Sequence, residues 1–284
     1  MQKKYEMTNE TKTIKGGIVL HRIRALRNIA LVNGTEVKTG DKGGFVASED
    51  NLSHDGNAWV GDDACVFGNA RVSENAYISE NARVGDNAHV ACKAEVRDYA
   101  NIFGNARIWG SAKIYDYGEV FRNAHVYDNS RVCGQACVCG NASIGGNAWV
   151  GERAMIYGNA WLRGNARIYG TADVHDNALI SDDAEVFDEA DVGGHAEICG
   201  NARIRDIRDF TVYKNTWSSS RWFTYTHSNK MWSVGCFYGT GDELIAKAYN
   251  DSKMSGKCYE AIVRAQEAID KETEALKMSH LPCD

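Results

Sequence analysis

From Val60 to Ile204 an aliphatic residue recurs at every sixth position, 25 times without a slip. Two residues before each stands a small residue, Ala in all but two cases, Gly118 and Ser130. Three residues before it the chain usually carries Asn, as at Asn57, Asn69, Asn75, Asn81, Asn87 and Asn105. A strict period of six leaves few folds open. Residues two apart on an extended strand point to one face, so the small and the aliphatic residue both turn inward. The pair that follows, typically Gly-Asn or Asp-Asn, tolerates positive φ and makes a corner. Alternating short strands and corners give a polygonal coil, and stacked coils pair as parallel strands about 4.8 Å apart. Such a solenoid satisfies its backbone groups through the coils above and below.

The pattern A-x-[VIL]-x-[GDE]-N resembles the hexapeptide-repeat family over residues 56–209. That resemblance implies an all-β solenoid, a left-handed parallel β-helix with three hexads per 18-residue coil. The chain then holds about eight coils. An N-terminal β cap is expected over 1–55, because an end coil has unpaired edges. Its strand-like runs are Gly16 to Ile23 and Gly40 to Val46. The stretch Arg22 to Ile29, with Gly43-Gly44-Phe45-Val46 and Asn51-Leu52-Ser53, is similar to the cap of a subgroup common in bacteriophages and prophages. Members of that subgroup are described as acyltransferases or polymer-forming proteins. Beyond the repeat, 210–284 reads as a small α+β appendage, a cap or an oligomerisation arm. Phe210 to Lys214, Arg221 to Thr226 and Met231 to Phe237 are aromatic-rich strands. Thr240-Gly-Asp-Glu243 is a capping box, and Lys257 to Met278 an amphipathic helix.

Function lies in the outward positions, where residues 18 apart stack. One face aligns Phe67, Phe103, Phe121, Cys139 and Tyr157, an apolar stripe too long to leave in water. The family's trimers of parallel prisms imply an oligomer interface here, with a terminal segment folded over the stripe as the alternative. A second face stacks Arg71, His89, Arg107 and His125, flanked by Trp109 and Tyr127. Arginines beside aromatic rings suit phosphate and base recognition, so this column is the candidate site for an anionic, nucleotide-like ligand. The third face, with Trp59, Tyr77, Trp149 and Tyr169, lacks comparable continuity. In the appendage Trp217, Arg221, Trp222, Tyr225, His227 and Trp232 concentrate aromatics and cations, either as ligand contacts or as an aromatic plug.

Acyltransferases of this family use a histidine as general base and acyl-coenzyme A as donor, which would assign the role to His89 or His125. No hexad between Val60 and Ile204 is interrupted, so the excursion loop that shapes the acceptor site in those enzymes is missing. No metal or other cofactor is expected. Cys133, Cys137 and Cys139 lack C-x-x-C spacing, and the nine cysteines form no framework, which suits reduced thiols in a cytosol. Neither a signal peptide nor a membrane span is visible, and the net charge of −6 gives no general case for nucleic-acid binding. From Asp173 to Glu197 nine acids stand without a Lys or Arg, a belt for a basic partner or simply a solvated surface. The expectation is a trimeric, non-catalytic binding protein of phage type in a bacterial host's cytoplasm. It would sequester a nucleotide-like anion or block a host defence protein, with an acyltransferase and a purely structural, self-assembling solenoid as the alternatives.

Overall fold

The computed structural model describes residues 3–216 and 220–279. Residues 1–208 form one compact unit and 209–284 a second. The first is a parallel β-solenoid of nine turns, with three sheets running its length. Each turn contributes one two-residue strand per sheet, from Trp59–Val60 and Cys65–Val66 through to Arg203–Ile204. Register is held at 18 residues, as in Arg83↔Asn101 and Val84↔Ile102. The inward Val, Ile and Leu and nearly every Ala beneath them are fully buried, so the repeat's small and large residues together make a dry interior. Ser130, in an Ala position, is buried too and donates its hydroxyl to the carbonyls of Tyr127 (2.6 Å) and Ile144 (3.3 Å).

The corners explain the Gly/Asp-Asn dipeptide. Every sixth residue from Asp62 to Gly200 has φ between 51° and 74°, where Gly and Asp carry the smallest penalty. Asp does more than tolerate the conformation. The carboxylates of Asp62, Asp86, Asp98, Asp116 and Asp128 each accept the backbone N–H of the residue 18 further on, at 2.9–3.0 Å. The Asn that follows builds a ladder along the corner. Asn69, Asn87, Asn105, Asn123, Asn141, Asn159 and Asn177 pass side-chain amide bonds from turn to turn at 2.9–3.3 Å. Much of the acidic belt is spent in this way. Asp176 and Asp182 accept the amides of Gly194 and Gly200, Asp183 caps a second ladder from Asn165, and Glu185 pairs with Arg203 at 2.6 Å.

The N-terminal segment belongs to the same compact unit as the solenoid. Strands Tyr5–Thr13 and Val19–Ala25 form an antiparallel hairpin, and Val19–Ala25 pairs in turn with Lys42–Val46. Lys42–Val46 then runs parallel to Cys65–Val66, 20 residues ahead, because the corner before Trp59 is two residues longer. This first turn makes nine where the repeat count implies eight. Its closeness depends on Gly43 and Gly44: a Cβ there would lie 2.6 Å from the Trp59 ring and from the Ala64 carbonyl. Strand Tyr5–Thr13 escapes a periodicity reading because its residues are almost all polar and only its first is buried.

The second unit is a four-stranded antiparallel sheet (Phe210–Lys214, Trp222–Thr226, Met231–Val234, Phe237–Gly239) with helices α1 (Gly241–Asp251) and α2 (Lys253–Ser279). Thr240 caps α1 as its capping box predicts, its N–H donating to Glu243 Oε2 at 2.8 Å. Phe223, Trp232, Val234, Leu244 and Val263 form this unit's core.

Candidate functional site

On the second face the parallel register brings Arg71, His89, Arg107 and His125 into one column on successive turns. Each sits one residue before an inward aliphatic, so the same alternation that buries Val72 or Ile108 turns these side chains outward. Arg71 and Arg107 are exposed and, among the described residues, form no ion pair. Their Cα atoms lie two turns apart, ~10 Å at the strand spacing. His89 stands between them, its Nε2 3.1 Å from Ser73 Oγ. Burial first, and then the Arg107 guanidinium, hold both His89 and His125 below the ordinary imidazole value. At neutral pH the column therefore presents two cations and two neutral rings.

Beside the cations stands a wall of rings. Trp109 and Tyr127 stack with centroids 4.9 Å apart and planes 7° from parallel, and His125 meets Trp109 edge-on at 5.4 Å. Two members escape a reading confined to consecutive turns. Trp161 lies two turns below His125 in the same column, is 45 % exposed, and donates its indole N–H to Tyr127 Oη at 3.2 Å. Gly145 gives the Tyr127 ring its place, since a Cβ there would lie 2.5 Å from it. Arg163 then lies over the Trp161 ring at 5.4 Å. On this face the outward strand residues from Arg71 to Arg163 include three arginines and no carboxylate, on a repeat that is acidic elsewhere. Unpaired guanidinium groups beside the half-buried Trp109 and Tyr127 and the exposed Trp161 suit an anion that also carries a planar group.

Other candidates fall elsewhere. Phe67 does not belong to an open stripe: with Leu20, Phe45 and Cys65 it forms a closed cluster, packed by Ile14 and Phe103. The N-terminal hairpin thus covers the upper end of the apolar face. Phe103, Phe121, Cys139 and Tyr157 remain half-buried below it. The third face is more continuous than its sequence suggests. Trp149, Tyr169 and Phe187 follow one another at 6.0 and 5.3 Å, and Arg203 lies over Phe187 at 5.0 Å. In the second unit Tyr225 and Trp232 are core residues, and Tyr225 Oη donates to Asp270 at 2.7 Å, so neither is open to a ligand. Trp222 is half-buried under Lys214 at 4.3 Å, Arg221 is exposed, and Trp217 lies outside the described residues. Among the described residues no carboxylate is hydrogen-bonded to His89 or His125, whereas His175 meets Asp191 at 2.7 Å and His227 lies 3.1 Å from Asp270.

Among the described residues no group of three or more His, Cys, Asp or Glu side chains is arranged to hold a metal ion, and no helix is long and apolar enough to cross a membrane. A comparison of the chain with protein-family models finds no match, and a comparison with curated proteins finds none either.

Proposed function

We propose that the second face of the solenoid binds an anionic, nucleotide-like small molecule without transforming it. The observation that carries this reading is the pair of unpaired guanidinium groups, Arg71 and Arg107, in one column beside the stacked Trp109 and Tyr127. Holding two cations exposed without partners on one face stores electrostatic free energy that an anion releases. Trp161 extends the ring surface for a base. Binding is favoured over acyl transfer because neither His89 nor His125 is oriented by a carboxylate, and because the repeat closes every turn without a loop to enclose an acceptor. The phage-type cap resemblance makes sequestration of a host nucleotide signal the physiological form of this reading.

The test is calorimetric titration with a panel of mono- and dinucleotides, followed by chromatography of the recovered ligand. Stoichiometric binding with the ligand unchanged is expected, and the paired variant Arg71→Ala/Arg107→Ala should weaken it roughly tenfold or more per arginine. Turnover of the ligand, or affinity untouched by the paired variant, would overturn the reading.

A further inference from the structure

At the repeat's positive-φ corners stand Gly, Asp and Glu, with two exceptions, Cys92 and Arg122. Glycine suits the conformation because it has no Cβ, and most of the acids, Asp86 and Glu152 among them, accept an amide from the next turn. Arg122 does neither. Its φ is 61°, its side chain only donates, and among the described residues its exposed guanidinium makes no hydrogen bond or ion pair. A strained residue with no local partner is a reason to ask what it faces.

Arg122 borders a groove of about 490 Å³ on the first face, within the size range of small-ligand sites. Cys139, Met155 and Tyr157 line it, and Met155 is 43 % exposed. The floor is uncharged: burial, reinforced by the neighbouring Cys139, pushes the adjacent Cys137 thiol up to about 12. Charge is placed unevenly along the groove. Beyond Tyr157, whose ring stacks on His175 at 5.0 Å, come Asp176 and Asp191, both bound to that histidine, and Asp173, whose carboxyl is raised by burial and by Asp191. Arg122 stands at the other end, where Glu119, in the strand column above Cys137 and Met155, is the neighbouring acid; an anionic head at the Arg122 guanidinium thus lies away from Asp176 and Asp191.

We propose that this groove is a second site, independent of the arginine column, for a small amphipathic anion. Its carboxylate would pair with Arg122 and its apolar body would lie over Cys139, Met155 and Tyr157. The occupant is thus a small molecule rather than a second copy of the chain, because Arg122 supplies a complementary charge and the acids at the far end set a direction.

Octanoate is a suitable probe for the full-length protein, read by calorimetry and by the methyl resonance of Met155. The expected result is saturable binding that moves this resonance, with octanol, the same chain without the charge, roughly tenfold weaker or worse. Arg122→Gly is the decisive variant. Glycine relieves the strained φ, so the protein should melt at or above the wild-type temperature while octanoate affinity falls about tenfold or more. Arg71→Ala/Arg107→Ala should leave octanoate binding unchanged, which separates this site from the second face. The proposal fails if octanoate leaves Met155 unmoved at about 10 mM, if octanol binds as well, or if Arg122→Gly binds normally. It also fails if sedimentation shows an oligomer in which the Met155 methyl is shielded from a soluble paramagnetic agent, since a second copy would then occupy the groove.

Discussion

Lys4 is fully buried in the N-terminal cap, and its replacement by methionine should stabilise the protein in a way that depends on pH. Among the described residues the ammonium finds only the Asp55 carbonyl, at 3.5 Å. Burial first, and then the charge of Arg27, pull its pKa from 10.5 to about 7, with Asp55 opposing. A drop of that size equals a penalty of about 4 to 5 kcal/mol on the charged form, an upper bound for its effect on stability. Replacing even a buried ion pair with apolar side chains of similar volume is often stabilising by about 1–4 kcal/mol, and Lys4 lacks the compensation of a close ion pair. The folded pKa lies below the unfolded one, so between pH 7 and 10.5 the unfolded chain binds more protons and wild-type stability rises with pH. Lys4→Met should therefore be more stable by a few kcal/mol at pH 7, with the gain shrinking to about 1 kcal/mol at pH 10. Urea denaturation of both proteins at the two pH values, followed by circular dichroism, reads the difference directly. A variant no more stable at pH 7, or equally favoured at both, would refute the reasoning.

Lowering the pH from 7.5 to 5.5 should tighten anion binding on the second face, because His89 and His125 are neutral at the upper value and gain charge beside the ligand; titrations of wild type and of His89→Gln/His125→Gln, which should lose the trend, check this. Gly145→Ala places a methyl against the Tyr127 ring and should cost about 1–3 kcal/mol, read by thermal melting, while changing the near-ultraviolet signal of the Trp109–Tyr127 stack. Asn123→Ala removes the amide bonds to Asn105 (2.9 Å) and Asn141 (3.1 Å) and should lower stability by about 1–2 kcal/mol; hydrogen exchange should rise in the turns on either side and not at the distant ends.

The solenoid was legible because a six-residue period forces inward and outward positions for 25 consecutive hexads, and any slip would bury an outward charge. The arginine–histidine column became legible once the family resemblance supplied three hexads per turn, from which parallel register at 18 residues follows. Periodicity is silent, however, wherever a contact joins residues that are not one turn apart. Trp161 reaches Tyr127 across two turns, and Phe67 is closed off by a hairpin whose outer strand, Tyr5–Thr13, is too polar to announce itself. Tyr225 and Trp232 could be read as ligand contacts or as an aromatic plug because strands without a repeat do not show which face is covered; the helices that bury them are set by packing in the second unit alone.

The repeat by itself determined the corners, the dry interior and which residues face outward, because backbone alternation admits one answer at each position; three hexads to a turn came from the family resemblance. Only the tertiary structure decided which outward residues are spoken for. Corner carboxylates went to amides, Glu185 to Arg203, and Tyr225 to Asp270, while Arg71, Arg107 and Arg122 kept no partner among the described residues. Partnership depends on side-chain reach across turns, which no count along a chain contains.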